Sequence, residues 1–200
     1  MTTSTPTGHA LTPRALINIG IFGAIYFFIL FLSSLVSFVS PALHLVGILI
    51  GTLINATVVI LFMVKTPRVF AMTLFGTLIG GTMALLGQFW GTVIVAALCG
   101  FIADLILYSG HYTSRWRACL AFGIFQFWLI APLIPVIIGS DAFFQRITRR
   151  QGAEYADFMR SLFTPWFLIG FHIALCIVAV GAAWVGTRIL DKHFSRAGIL

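Results

Sequence analysis

The chain of 200 residues is 60% hydrophobic and only 8% charged, and it carries a formal net charge of +7. Soluble domains hold about 25% charged residues, so this chain lacks the polar side chains to cover a water-soluble globule. Its basic residues sit between long apolar runs, which argues against a nucleic-acid face and for membrane topology and contact with anionic lipid.

The segment "MTTSTPTGHALTPR" is short, polar and free of acidic residues. It reads as a retained tail and not as a cleaved signal peptide. No Asp, Glu, Lys or Arg occurs in 15–64, 69–103, 118–140 or 161–187. A spanning helix needs about 20 mostly apolar residues, so these runs predict an all-α integral membrane protein. The first run is too long for one crossing. Ser33, Ser34, Ser37, Ser40 and Pro41 break it into a span over 15–37 and a second over 42–63. "KTPR" at 65–68 is a short loop, and the next run gives spans over 69–87 and 92–109, joined by "GQFWG". The loop "SGHYTSRWR" leads to a fifth span over 118–138, and a sixth covers 164–187. The chain therefore predicts one membrane domain of six transmembrane helices over residues 1–200.

Orientation follows the basic loops. Arg14, Lys65, Arg68, Arg115, Arg117, Arg188, Lys192 and Arg196 share one side of a six-span arrangement, which places both termini in the cytoplasm. The segment 139–163 falls outside and holds Arg146, Arg149, Arg150 and Arg160, offset by Asp141, Glu154 and Asp157. An amphipathic hairpin or short helix over the outer mouth fits this pattern.

Asp104 is the one carboxylate within a span, five residues before the end of the fourth. A charge at a helix centre costs about 2.5–3.5 kcal/mol and less near an end. Arg115 and Arg117 lie close to the same interface. Asp104 reads first as a structural charge, either an ion-pair tether or a cap on neighbouring backbone, and second as a coupling-ion or proton site. Gly20 and Ala24, Gly47 and Gly51, Gly76 and Gly80, and Gly87 and Gly91 are small pairs at the four-residue spacing that lets helices approach. Packing within the bundle explains most of them. Gly20 and Ala24 could instead form a smooth face for another protein.

Polar and aromatic residues near the outer half suggest a ligand pocket, since such sites are mostly apolar with a few placed polar groups. The candidates are His172, Gln88, Trp90, Gln126, Trp128 and Trp166, with His44 a weaker choice. The tryptophans also suit an interfacial belt, and the amide and histidines also suit bonds between helices. Asn55 reads as a helix bridge. "APLIP" at 131–135 bends the fifth span and frees carbonyls. The chain has no HExxH, GxSxG or phosphate-binding loop, and no His, Cys or acidic cluster with metal-ligand spacing. Cys99, Cys119 and Cys176 read as small packing residues. No enzyme, cofactor or metal site is expected, and any uphill transport needs a partner or an ion gradient.

Three stretches carry a family resemblance: "INIGIFGAIYFFI", "GFIADLILYSGHYTS" and "LDKHFSRAGIL". In this order and spacing they resemble the Trep_Strep (MptD) family of substrate-binding S components of energy-coupling factor (ECF) transporters. The resemblance implies a six-helix S component in the cell membrane with both termini inside. It implies capture of a vitamin or similar micronutrient from outside. It also implies assembly with a transmembrane coupling subunit and two ATP-binding subunits, and toppling of the S component to carry substrate inward. ATP hydrolysis would then belong to the partners. The docking face of such proteins uses a small-xxx-small pattern on the first helix, which Gly20 and Ala24 match, with Asn18 and Gly23 adjacent. Here the pattern begins with glycine, where many S components have alanine at both places. A stand-alone secondary transporter and a membrane scaffold without a ligand are the rival expectations.

Overall fold

The protein is described here from a computed structural model covering residues 11–196, with side chains as far as Leu190. The tail up to residue 10 and the side chains of Lys192 and Arg196, invoked above for topology, lie outside the described residues. Nine α-helices and no strand occur among the described residues. Helix α1 covers Pro13–Ser34, with Thr12 Oγ1 accepting from the Ala15 amide at 3.2 Å. The serine-rich break is a 3-10 turn over Leu35–Phe38. Ser40 then caps α2, Pro41–Lys65, whose first residue is a proline, with no N–H in need of an acceptor. Helix α3 is Ala71–Leu85 and α4 is Thr92–Ser109. Helix α5, Arg115–Phe125, runs on as a 3-10 stretch over Gln126–Leu133 and a last short turn, α6, over Ile134–Ile137. Pro132 lies inside that stretch. It removes an amide donor from the ladder, and the backbone tightens there.

Among the described residues, five helical stretches are long and apolar enough to cross a membrane: Pro13–Phe38, Pro41–Lys65, Thr92–Ser109, Arg115–Ile137 and Pro165–Leu190. The predicted span 69–87 is a shorter apolar helix of 15 residues. At 1.5 Å per residue that is about 22 Å, against about 30 Å of hydrocarbon. Its start is set by Phe70, which adopts a left-handed conformation at φ 64°, and its end by Gly87 at φ 86°.

The segment expected as an outer loop is a helical hairpin. Helix α7 is Asp141–Gln151, capped by Ser140, and α8 is Ala153–Leu162, with Gly152 at φ 93° making the turn. The long final helix α9 is Pro165–Arg196.

Close backbone crossings hold the bundle. A Cβ on Gly76 would overlap the Ala96 carbonyl, and one on Gly100 would overlap the Met72 carbonyl, so α3 and α4 pack antiparallel with nothing between them. Gly80 meets Thr92 and Val93 in the same seam. Gly47 and Gly51 pack on Ser33 and Leu30 of α1. These are the bundle-packing roles expected for those pairs. Around Tyr26, Phe62, Phe75 and Phe125 the aromatic rings form the main core, with Phe62 and Phe75 stacked at 4.8 Å. A second, smaller core joins the hairpin to the bundle through Leu45, Leu133, Val136, Phe144, Met159 and Leu168.

Candidate functional site

Asp104 resolves as a cap. Phe70 offers no side chain to the open amides at the start of α3. Asp104 reaches across from α4 and takes their hydrogen bonds: Met72 N at 3.1 Å, Thr73 N at 2.8 Å and Thr73 Oγ1 at 2.7 Å. A carboxylate at a helix N-terminus meets both the orphan donors and the positive end of the dipole. This is the cap reading, supplied by a neighbouring helix. Arg115 is exposed at the first position of α5, while Arg117 packs its stem over Gly110.

The seven pocket candidates fall into three places. Gln126 and Trp128 are fully buried in a polar knot in the middle of the bundle. Its hub is the Tyr26 hydroxyl, which donates to Gln126 Oε1 at 2.8 Å and accepts from Trp128 Nε1 at 2.9 Å. Gln126 Nε2 donates to Thr52 Oγ1 at 2.8 Å, and Asn55 Nδ2 donates to the Tyr26 carbonyl at 3.2 Å. The knot ties α1, α2 and the 3-10 stretch together. Asn55 is the helix bridge expected of it, and its Oδ1 is buried without a partner.

Nearer the hairpin lie His172 and His44. His172 is fully buried, and its Nδ1 stands 2.8 Å from the Leu168 carbonyl, to which a protonated Nδ1 donates. The backbone of Leu129 lies beside the same ring, where Pro132 cannot supply a donor to it, yet Nε2 completes no hydrogen bond. The His44 ring is 6.4 Å from that of Phe163. Both histidines thus border the small core beneath the hairpin.

Gln88, Trp90 and Trp166 lie on the surface instead. Trp90 is 68% and Trp166 84% exposed, against 0% for Trp128. They occupy the α3–α4 turn and the first turn of α9, where rings of this type suit a membrane interface. The single pocket expected from all three tryptophans is therefore corrected: burial separates Trp128 from the other two.

Two contacts fasten the hairpin over this end of the bundle. The Tyr155 hydroxyl donates to the Ser37 carbonyl at 2.7 Å, and Arg146 Nη1 donates to the Gly87 carbonyl at 3.3 Å. Burial raises the pKa of the Tyr155 phenol, which keeps its donor proton in place. Tyr26, Thr52 and Tyr155 did not stand out in the sequence. A lone tyrosine among the phenylalanines of the first span was the available signal, because a phenol within hydrocarbon needs a partner.

The four docking candidates also divide. Gly20 has open space where a Cβ would stand, and Ala24 is exposed. Gly23 is buried against Leu78, and the Asn18 amide donates to Thr66 Oγ1 at 3.0 Å. The last two, expected beside the docking pattern, make contacts within the bundle. Gly20 forms part of a groove of 520 Å³ between α1 and α3, lined also by Leu16, Ile19, Leu78, Gly81 and Leu85.

Residues 13–196 match the family described as a hypothetical bacterial integral membrane protein (Trep_Strep). The chain belongs to the Trep_Strep family. No curated protein and no solved structure matches it. The family description and the five long apolar helices agree that this Trep_Strep protein is a multi-pass membrane protein.

Proposed function

We propose that this Trep_Strep protein is the substrate-binding S component of an ECF-type importer. It captures a vitamin or similar micronutrient and delivers it together with a transmembrane coupling subunit and two ATP-binding subunits, which hydrolyse the ATP. In this reading α3 completes a six-pass bundle, both termini are cytoplasmic and the hairpin end faces outward. Substrate enters beneath α7 and α8 and meets His172 and His44, with Gln126 and Trp128 below them. The chain itself does no covalent chemistry.

The observation that carries the reading is the groove at Gly20. Its lining is apolar apart from threonine hydroxyls, and Thr82 spends its hydroxyl on the Leu78 carbonyl of its own helix at 2.9 Å. A groove without charge and with a bare glycine backbone suits a close-packed transmembrane helix. The coupling subunit is the occupant this reading assigns to it.

The test is co-purification. The tagged chain, expressed with the coupling subunit and ATPases of the same cell, should elute with them in detergent and carry a small molecule that mass spectrometry identifies. Gly20→Trp or Ala24→Trp should abolish the complex and spare the bound small molecule. An unaltered complex in both variants would remove the groove from docking. No complex with the unmodified chain would end the S-component reading.

A further inference from the structure

The hairpin holds a cleft of 420 Å³ that the transport reading does not use. Its floor is Phe144 and Ala156, both buried, and its exposed rim carries Thr148, Arg149, Asp157 and Arg160. The Arg160 guanidinium lies over the Phe144 ring, 4.0 Å from its centroid. That contact holds the cation on the ring at the edge of the cleft, and a guanidinium carries five N–H donors, more than one ring contact engages. One Arg160 nitrogen is 3.9 Å from Asp141, too far for a hydrogen bond. Arg149 has a single long bond, from Nε to the Gln145 carbonyl at 3.4 Å. The rim thus presents two guanidiniums, that of Arg160 ion-paired with Asp141, together with the Thr148 hydroxyl and the Asp157 carboxylate around an apolar floor.

The depth of the cleft says what meets it. Helix α7 begins a few residues after Ile137, where the fourth long apolar stretch ends, and α8 ends just before Pro165, where the last one begins. Ile138 and Trp166 beside it are 69% and 84% exposed. The hairpin therefore lies at the level of the lipid headgroups, where the phosphodiester is the abundant anion. A guanidinium binds phosphate through two parallel N–H bonds.

We propose that this cleft is a phosphodiester site. The phosphate oxygens accept from Arg149, Arg160 and the Thr148 hydroxyl. Asp157 accepts from a donor elsewhere on the same ligand, either an ammonium or a hydroxyl. The shared chemistry is a phosphodiester with a donor one short linker away, which both a membrane lipid and its soluble headgroup possess.

The test uses the full chain in detergent and follows bound lipid by native mass spectrometry. Phosphatidylglycerol should bind, and the diacylglycerol with the same acyl chains should not. Arg149→Gln with Arg160→Gln should weaken phosphatidylglycerol binding at least about tenfold with the helical circular dichroism unchanged. Asp157→Asn should lower the preference for phosphatidylglycerol over phosphatidic acid, which lacks the second donor group. Binding of glycerophosphoglycerol as tight as that of the lipid would assign the site to a soluble phosphodiester, and much weaker binding assigns it to the membrane. Equal binding of phosphatidylglycerol and diacylglycerol to the unmodified chain would overturn the proposal. So would a folded double variant that binds as the unmodified chain does.

Discussion

Removing the Asp104 carboxylate should loosen the start of α3 more than any other single polar change. Asp104→Ala deletes three hydrogen bonds at 2.7–3.1 Å and leaves the Met72 and Thr73 amides without an acceptor. Losing a cap costs about 0.5–2 kcal/mol, and each buried donor left open costs about 1–3 kcal/mol. The carboxylate no longer has to be desolvated, which returns part of this. A net loss of about 3 kcal/mol follows, or roughly 6–12 °C of melting temperature for a chain of this size. Cys99 and Cys119 are buried, so a thiol-reactive fluorophore reports unfolding directly. Asp104→Asn should fall between, since the amide keeps an accepting oxygen but presents a donor to a donor. Thr73→Ala should cost only about 1 kcal/mol, because both backbone bonds survive. A melting temperature for Asp104→Ala within a degree of the unmodified protein would refute the cap argument. A loss of transport in Asp104→Ala without any loss of stability would point back to an ion or proton site.

The remaining expectations probe the knot, the seam and the histidine. Tyr26→Phe removes the partner of both Trp128 Nε1 and Gln126 Oε1 and should cost about 2 kcal/mol in the same thermal assay; an unchanged melting temperature would show that the hub bears no stability. Gly100→Ala drives a methyl into the Met72 carbonyl and should cost about 1–3 kcal/mol, whereas Gly81→Ala meets open space and should be neutral or stabilising by up to about 1 kcal/mol. His172→Ala should weaken binding of the co-purified small molecule while the complex with the ATPase subunits still forms; full affinity in equilibrium dialysis would take His172 out of the site.

The spans were legible because burial in lipid demands long uncharged runs, and the break at Ser40–Pro41 was legible because capping is local; the start of α5 at Arg115, capped by Ser114, fell inside a stretch read as loop. The hairpin was legible as amphipathic, since Phe143, Phe144 and Ile147 alternate with arginines at helical spacing. What the sequence could not show is which partner each polar group meets. The donors capped by Asp104 lie 31 and 32 residues away, and Tyr26 and Gln126 are 100 residues apart. A helical wheel gives a residue's own face but not the neighbour opposite it. For the same reason Trp128 and Trp166 looked alike: each lies in an apolar run, and only the packing of the bundle places one in the core and the other at the surface.

The small residues show how far that ambiguity reaches. In water, a glycine facing outward on a helix would stand out against polar neighbours. In lipid both faces are apolar, so a glycine that admits a neighbouring backbone and one that faces the bilayer have the same surroundings in sequence. Gly76 and Gly20 each sit in an apolar run with a small residue four positions on. Gly76 is filled by the Ala96 carbonyl, whereas Gly20 is left open. A helix interior bears a cost of about 1 kcal/mol for glycine over alanine. At Gly76 the close contact with α4 offsets it. At Gly20 nothing among the described residues does. That unreturned cost distinguishes the groove from the seams of the bundle, and it gives the docking variant at Gly20 its weight: it adds bulk where the described chain has left space, so a lost complex with an intact fold locates the missing contact in a partner.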